Sequence, residues 1–221
     1  MRLAIKIGGS IAVGERGPNQ DYVQDFLSVI NSLKLERLGV GIGGGKLARN
    51  YLASIGALLS SEQRELVVIE LLRANTKMLS ILLKAKAIYT EEDLIDVAGD
   101  TEKRAFVIGG ISPGRSTDAN TSLLAEAIEA DLFIKLTDVD GVYTADPDEK
   151  ENAELIKRMT FEELTALSVE GSPGSYGILD RMAISVLRRA CIPVRIINGR
   201  DPKIIRGLLG GEDIGTLITG P

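Results

Sequence analysis

The strongest restriction on the fold of this chain comes from short apolar runs that end in glycine clusters. Three of these runs end in Gly8-Gly9-Ser10, Gly43-Gly44-Gly45 and Gly109-Gly110, and each cluster leads into a helix or a loop. Strands that alternate with helices in this way indicate a parallel sheet that is covered on both faces. We therefore predict an α/β fold, a three-layer αβα sandwich with a central, mostly parallel sheet.

The periodicity of apolar residues places the individual elements along the chain. Strands are predicted at 3–7, 38–42, 87–89, 106–108, 132–136, 193–197 and 215–218. Helices are predicted near 19–35, 47–55, 61–84, 91–98, 118–130, 176–190 and 201–209. No linker or repeat interrupts residues 1–221, so we expect a single domain with two lobes, in which 168–177 forms a flexible loop.

The composition removes several classes of function. A formal net charge of −5 and the lack of a long basic run argue against nucleic acid as a partner. With no histidine and a single cysteine, Cys191, the chain has neither a Cys/His zinc site nor an internal disulfide. We expect no signal peptide and no membrane span. The lack of disulfides fits a reducing compartment, so a cytoplasmic location is expected.

The glycine clusters have two interpretations. Glycine at a strand end is the usual residue of a tight turn. It also lets backbone amides approach a ligand closely, and a helix N-terminus behind such a turn favours an anion. Because ligands of open α/β sheets lie beyond the carboxyl ends of the strands, three converging clusters would form one large anion-binding cleft.

Lys6 stands near the end of the first apolar strand. A lysine in such a strand lowers stability unless its ammonium group reaches water or an anion. Lys6 either extends to solvent or faces the oxygens of a transferring phosphate. The Gly8-Gly9-Ser10 cluster beside it favours the second interpretation.

The stretch 137–147 follows another apolar strand. It holds three acidic residues, two threonines and one tyrosine. This composition fits either an acidic surface hairpin or a nucleotide clamp, in which hydroxyls and amides contact the purine and the ribose.

Four segments together resemble the amino-acid-kinase superfamily over almost the whole chain. They are 6–10, 43–49, 109–110 and 137–147. Within the superfamily the chain is most similar to archaeal-type uridylate kinases, because of the residues at 43–49, at 73–75 and at 112–118. The resemblance implies transfer of the γ-phosphoryl group of ATP to UMP in pyrimidine nucleotide biosynthesis. It also implies a Mg²⁺ ion that is bound through ATP.

The resemblance assigns roles to individual residues, with Lys6 as the catalytic cation. The residues implied to contact ATP are Lys6, Ile7, Gly8, Gly9, Ser10, Gly45, Arg49, Thr137, Asp138, Tyr143 and Asp146. The residues implied to contact UMP are Gly44, Glu65, Ile111, Ser112, Pro113, Gly114, Arg115, Ser116 and Thr117. Residues of about 1–130 would then form the acceptor lobe, and residues of about 131–221 would form the ATP lobe.

Two positions depart from the family pattern. Asp138 stands where asparagine is frequent, although a carboxylate can still accept a hydrogen bond from adenine. Many members carry a lysine that reaches the phosphates from the helix after Asp180, whereas this chain has Ser185 there. Arg181 or Arg188 could replace that second cation.

Two alternative functions stay open from the sequence. One is a kinase for another small acid, such as acetylglutamate, and the other is a non-catalytic nucleotide-binding protein on the same scaffold. The predicted helix 61–84 is apolar on more than one face, which favours self-association. The family resemblance implies a hexamer of dimers.

Overall fold

A computed structural model describes residues 1–145, 150, 152–167 and 178–220. The strands are β1 (Arg2–Ile7), β2 (Arg37–Ile42), β3 (Lys86–Ile88), β4 (Ala105–Ile108), β5 (Leu132–Thr137), β6 (Val142–Tyr143), β7 (Leu155–Ile156), β8 (Arg158–Met159), β9 (Val194–Asn198) and β10 (Thr216–Ile218). The helices are α1 (Gly9–Ala12), α2 (Gln20–Ser32), α3 (Gly45–Ile55), α4 (Ser61–Leu83), α5 (Glu91–Asp96), α6 (Thr117–Ala127), α7 (Phe161–Leu167), α8 (Arg181–Arg189) and α9 (Ile204–Leu209).

Eight strands form one sheet in the order β3-β4-β2-β1-β5-β9-β10-β8, and β6 pairs with β7 separately. β1 lies parallel between β2 and β5, and its Lys6 is opposite Gly41 on one side and Lys135 on the other. The strand direction changes at the antiparallel pair of β9 and β10. The central strands are therefore parallel, and their carboxyl ends lie at the same edge.

Helices cover both faces of the sheet. One buried apolar cluster contains residues of α5, α6, α7 and α8, and the other contains residues of α1, α2, α4 and α9. Alternate residues of β1 divide between them, since Ala4 belongs to the first cluster whereas Leu3 and Ile5 belong to the second. This alternation is expected of a strand that is buried on both faces. The prediction of an α/β three-layer sandwich is confirmed.

Each of the seven predicted strands is present with ends within one residue of the prediction. The helices are also present, although the predicted helix 176–190 begins at Arg181 and the predicted loop 168–177 lies outside the described residues. The sequence did not predict α1, α7, or the short strands β6, β7 and β8. Strands of two residues are too short to show a period of two, so their pairing depends on distant parts of the chain.

Helix α4 has 23 residues and packs against the sheet along one side only. Its buried side includes Ile69, Leu72 and Leu79, whereas Leu66 and Ile81 are 50% and 63% exposed. Apolar residues on the exposed side are what the sequence predicted for a helix that contacts another subunit, and that contact stays a prediction. In the described part of the chain no helix combines the length and apolarity that a membrane span requires.

Candidate functional site

The glycine clusters after β1, β2 and β4 converge at the carboxyl edge of the sheet, because these strands are parallel neighbours. The first two clusters pack backbone against backbone. A Cβ atom built on Gly9 would lie 2.4 Å from the Gly45 nitrogen. Gly45 itself has φ +61°, and its Cβ would lie 2.2 Å from the carbonyl oxygen of Val13. The tight-turn interpretation is therefore correct for Gly9 and Gly45, and it is compatible with amides that face a ligand.

Two buried asparagines hold these turns from the helices behind them. Asn75 Nδ2 of α4 donates a hydrogen bond to the Gly43 carbonyl at 3.1 Å. Asn120 Nδ2 of α6 donates to the Gly109 carbonyl at 2.7 Å. The sequence did not assign a role to either asparagine, although a polar residue on the buried side of an apolar helix is a usable signal.

Two lysines from neighbouring strands share one carboxylate. Lys6 Nζ lies 3.5 Å from Asp118 Oδ1, and Lys135 Nζ lies 3.1 Å from Asp118 Oδ2. The side chains of Lys6, Lys135 and Asp118 are only 9%, 4% and 15% exposed. The interpretation in which Lys6 extends to solvent is therefore wrong, and its ammonium group points to the N-terminus of α6.

Lys135 was not recognised from the sequence. Its signal is the same as that of Lys6, a lysine within an apolar strand that ends at the site. Burial lowers the pKa of Lys135 from 10.5 to about 8, Asp118 opposes that change, and the nearby Lys6 ammonium adds to it. A lysine with such a lowered pKa beside a second cation is typical of functional sites.

The N-termini of α6 and α8 meet beside this lysine pair. Ser116 caps α6, Asp180 caps α8, and the Ser116 hydroxyl donates a hydrogen bond to the Asp180 carboxylate. Lys135 Nζ donates to the carbonyl of Ile178, just before α8. Two helix N-termini and two ammonium groups together favour a polyanion at this point of the molecule.

Residues expected on the UMP side line a cavity of about 460 Å³ between α4 and the loop after β4. The expected residues in its lining are Glu65, Ser112, Pro113, Gly114 and Arg115. The other four lie outside this lining. Ile111 is buried, Ser116 and Thr117 begin α6, and Gly44 precedes α3.

Two carboxylates hold the loop after β4 in place. Glu65 Oε2 accepts a hydrogen bond from the Gly114 amide at 2.5 Å. Glu91, the first residue of α5, forms an ion pair with Arg115 at 2.8 Å and accepts a hydrogen bond from the Ser112 hydroxyl at 3.5 Å. Glu91 was not identified from the sequence, because its partners follow it by more than 20 residues.

A second cavity, of about 710 Å³, adjoins the turn after β1. Its lining brings together Ser10, Arg49 and Asp138, three of the residues expected to contact ATP. Lys46 and Arg200 also line it and add two exposed cations. The lining also contains Asp21, Asp25 and Asp201, so the cations that could meet a triphosphate lie among carboxylates.

The stretch that begins at Thr137, the last residue of β5, turns back on itself. Asp140 accepts hydrogen bonds from the Tyr143 hydroxyl at 3.3 Å and from Asn198 Nδ2 at 2.8 Å. β6 then pairs antiparallel with β7, so the hairpin interpretation describes its backbone. The nucleotide clamp stays a prediction, and Asp146 lies outside the described residues.

The candidates for a second cation on α8 line another cavity. Arg181, Ser185 and Arg188 border a space of about 980 Å³ on the exposed side of α8, together with Cys191 and Pro193. Arg188 is in the last turn of α8, away from the N-terminus that adjoins the lysine pair, whereas Arg181 is the first residue of the helix. The ammonium group of Lys135, by contrast, shares the partner Asp118 with Lys6.

Within the described ranges, no group of three or more acidic or cysteine side chains could hold a metal ion. Near the lysine pair, Asp118 is engaged by both ammonium groups, and Asp180 accepts hydrogen bonds from two amides of α8. Both carboxylates therefore already interact with cations or amides of the protein, although among the described residues Asp118 Oδ1 accepts no hydrogen bond and has only the Lys6 ammonium group beside it.

Comparison with known proteins gives a consistent result. Residues 1–198 match the model of the amino acid kinase family. Uridylate kinases from Hyperthermus butylicus and Methanothermobacter thermautotrophicus are 37% and 36% identical, covering 99% of this chain and 98% and 99% of their own. The crystal structure of uridylate kinase from Archaeoglobus fulgidus has a TM-score of 0.83 at 32% identity, covering 99% of this chain and 100% of that chain. UMP kinase from Bacillus anthracis shares the fold, with a TM-score of 0.78 at 21% identity, covering 99% of this chain and 95% of that chain.

Proposed function

This chain belongs to the amino acid kinase family, and from that premise we propose that it is a uridylate kinase, which transfers the γ-phosphoryl group of ATP to UMP. The observation that carries the proposal is its near-full-length similarity to relatives named uridylate kinase. The geometry supports it, because a cavity with cationic side chains and a second cavity at Glu65 both adjoin the glycine turns. In this proposal the first cavity takes the donor and the second takes UMP.

The residues named from the sequence divide between the two substrates. ATP lies on the turns after β1 and β2, with its base and ribose beside 137–146, and UMP lies between Glu65 and 111–117. The acceptor side is then formed by about 1–130 and the ATP side by about 131–221. Two observations support this division. Ser10, Arg49 and Asp138 line the same cavity, and the Gly114 amide of the loop after β4 donates a hydrogen bond to Glu65.

The chemistry needs no histidine, which the chain lacks. The nucleophile is an oxygen of the UMP phosphate, which is largely ionised at neutral pH, so no general base has to remove a proton. The protein holds two polyanions in line and offsets their repulsion with Lys6, backbone amides and the N-termini of two helices. Transfer breaks the bond between the β–γ bridging oxygen and the γ-phosphorus of ATP, and it forms a bond from the UMP oxygen to that phosphorus.

The proposed function also includes a metal ion, a cellular location and an assembly state. Mg²⁺ would enter with ATP, as it usually does at such sites, and it would neutralise charge on the triphosphate. The carboxylates beside the lysines are engaged by protein groups, which fits a metal carried by its substrate. We place the enzyme in the cytoplasm, in pyrimidine nucleotide biosynthesis, as a hexamer of dimers.

An assay of ADP release tests the proposed function. The purified chain is supplied with ATP and Mg²⁺ and, in separate reactions, with UMP, CMP or acetylglutamate. We expect rapid ADP release with UMP and formation of UDP. Release with acetylglutamate alone would identify a small-acid kinase, and ATP binding without turnover on any acceptor would identify a non-catalytic nucleotide-binding protein.

A further inference from the structure

We propose that Lys135 is the second cation of the phosphoryl-transfer site, and that it acts with Lys6 on the transferring phosphoryl group. Their common partner Asp118 holds both ammonium groups in position. The inference rests on the proposed function, because it adds a residue to the same reaction. Many family members carry a lysine where this chain has Ser185. In this chain the second cation would come from the central sheet and not from α8.

The register of the sheet brings the two lysines together. Lys6 of β1 is directly opposite Lys135 of β5, so both side chains project from the same face of adjacent parallel strands. Each ammonium group then reaches a different oxygen of Asp118. The carboxylate therefore fixes the separation and the direction of both cations before any substrate binds.

Two buried lysines on one carboxylate would be an unfavourable arrangement if these residues served only to stabilise the fold. A buried carboxylate needs one partner, and a second buried lysine adds the desolvation of another charge and repulsion from the first. Among the described residues, the charged groups that face Lys135 are Lys6 on β1, Asp118 on α6 and Asp180 at the start of α8. Asp180 is also bound by α8 amides and by the Ser116 hydroxyl. Two ammonium groups beside two helix N-termini form a positive environment that would stabilise a polyanionic ligand.

A structural role for Lys135 predicts different behaviour. Lys135 also donates a hydrogen bond to the Ile178 carbonyl, so it could serve only to tie β5 to the start of α8. In that case its removal would change stability and leave turnover of the folded enzyme intact. The two roles are separated by kinetics and by pH dependence.

The first experiment compares Lys135→Met with the matched exposed control Lys34→Met. We expect Lys135→Met to lower kcat with ATP and UMP by about a hundredfold, as loss of one electrostatic stabiliser does elsewhere, and Lys34→Met to leave kcat unchanged. The melting temperature of each variant shows whether it is folded. A folded Lys135→Met enzyme with the kcat of the unaltered protein overturns the assignment.

The second experiment needs only the unaltered protein and the residual activity of the variant. Because burial holds the pKa of Lys135 at about 8, we expect kcat/KM for ATP to fall by about tenfold for each pH unit above that value. The residual activity of Lys135→Met lacks this fall. A flat profile to about pH 9.5 for the unaltered protein, or the same fall in the variant, overturns the assignment.

A measurement of ATP binding tests the role of Lys135 independently of the proposed function. If the unaltered protein does not phosphorylate UMP, the proposed function fails, and calorimetry with ATP then decides on Lys135. We expect Lys135→Met to bind ATP at least about tenfold more weakly than the unaltered protein, since a charge-assisted contact is lost. Equal affinities would show that Lys135 does not face the nucleotide phosphates.

Discussion

At the scale of single residues, the carboxylate of Asp118 organises the cations of the site. Asp118 is the second residue of α6, where a negative charge interacts favourably with the helix dipole. It forms ion pairs with Lys6 and Lys135, which are 129 residues apart in the chain and lie on neighbouring strands. A buried carboxylate at a helix N-terminus thus holds two like charges close together.

The first prediction concerns Lys6. We expect Lys6→Ala to lower kcat by roughly a hundredfold or more, because an electrostatic stabiliser of the transferring group is removed. Steady-state kinetics with ATP and UMP measure the change, and the exposed residue Lys34→Ala is the matched control. An unchanged kcat in the folded Lys6→Ala enzyme would remove this lysine from the mechanism.

The second prediction concerns stability and the pKa of Lys135. The folded pKa of about 8 lies below the ordinary value of 10.5, so between these pH values the unfolded chain binds more protons than the folded chain. The free energy of unfolding therefore gains a contribution that rises with pH in this range, by at most about 1.4 kcal/mol for each pH unit. Activity is expected to fall over the same range.

Urea unfolding at about pH 7.5, 8.5 and 9.5 measures this contribution as the difference between the unaltered protein and Lys135→Met. Other titrating groups are common to both proteins and cancel in the difference. We expect the variant to be relatively more stable at the lowest pH and to lose that advantage as the pH rises. A difference that is constant with pH would show that the pKa of Lys135 is not lowered.

At the scale of elements, the acceptor loop 111–117 is held by side chains from two helices. Glu65 of α4 binds its backbone at Gly114, and Glu91 of α5 binds Ser112 and Arg115. The loop is therefore held in position before UMP binds, which lowers the entropy that binding must overcome. Glu65 is also expected to meet the ribose hydroxyls, and in that case the Gly114 amide and the ribose would share one carboxylate.

The third prediction tests the contact between Glu91 and the loop. We expect Glu91→Ala to raise KM for UMP up to about fivefold with little change in kcat, since a partly exposed ion pair contributes about 1 kcal/mol at most. Glu91 acts through its carboxylate on Arg115, so Glu91→Asp, which keeps the charge, is expected to recover part of the lost affinity. If Glu91→Asp is no better than Glu91→Ala, the ion pair does not position the loop.

The elements show how far local sequence determines this molecule. Strands and helices with a clear apolar period were predictable, and so was the position of Lys6 at the site, because a lysine beside a glycine turn is a local signal. The pairing of Lys135 with Asp118 and of Glu91 with Arg115 was not predictable. Both depend on the sheet register and on loop geometry, which bring together residues that are 17 to 24 positions apart. The turn-holding asparagines were missed for the same reason.

At the scale of the whole molecule, the exposed apolar residues of α3 and α4 bear on assembly. Leu66 and Ile81 on α4 are 50% and 63% exposed, Leu58 just before α4 is 85% exposed, and Tyr51 of α3 is 47% exposed. Single exposed apolar residues are ordinary, but several along adjacent helices favour burial against another subunit. We predict that this surface is the dimer contact of the proposed hexamer of dimers.

The fourth prediction follows from that surface. Light scattering coupled to size exclusion is expected to show a multiple of the 23.7 kDa chain. Leu66→Glu together with Ile81→Glu is expected to shift the protein to smaller species, because burying two unpaired carboxylates would cost several kcal/mol per ion. Asn31→Glu with Thr101→Glu adds the same net charge at exposed positions outside α4 and is expected to leave the mass unchanged. A protein that is monomeric before any substitution, or a charged α4 that assembles as before, would exclude this surface as the contact.

Because the proposed substrate cavities involve residues of a single chain, the dissociated variant is expected to keep measurable kinase activity, with assembly contributing mainly to the stability of α4.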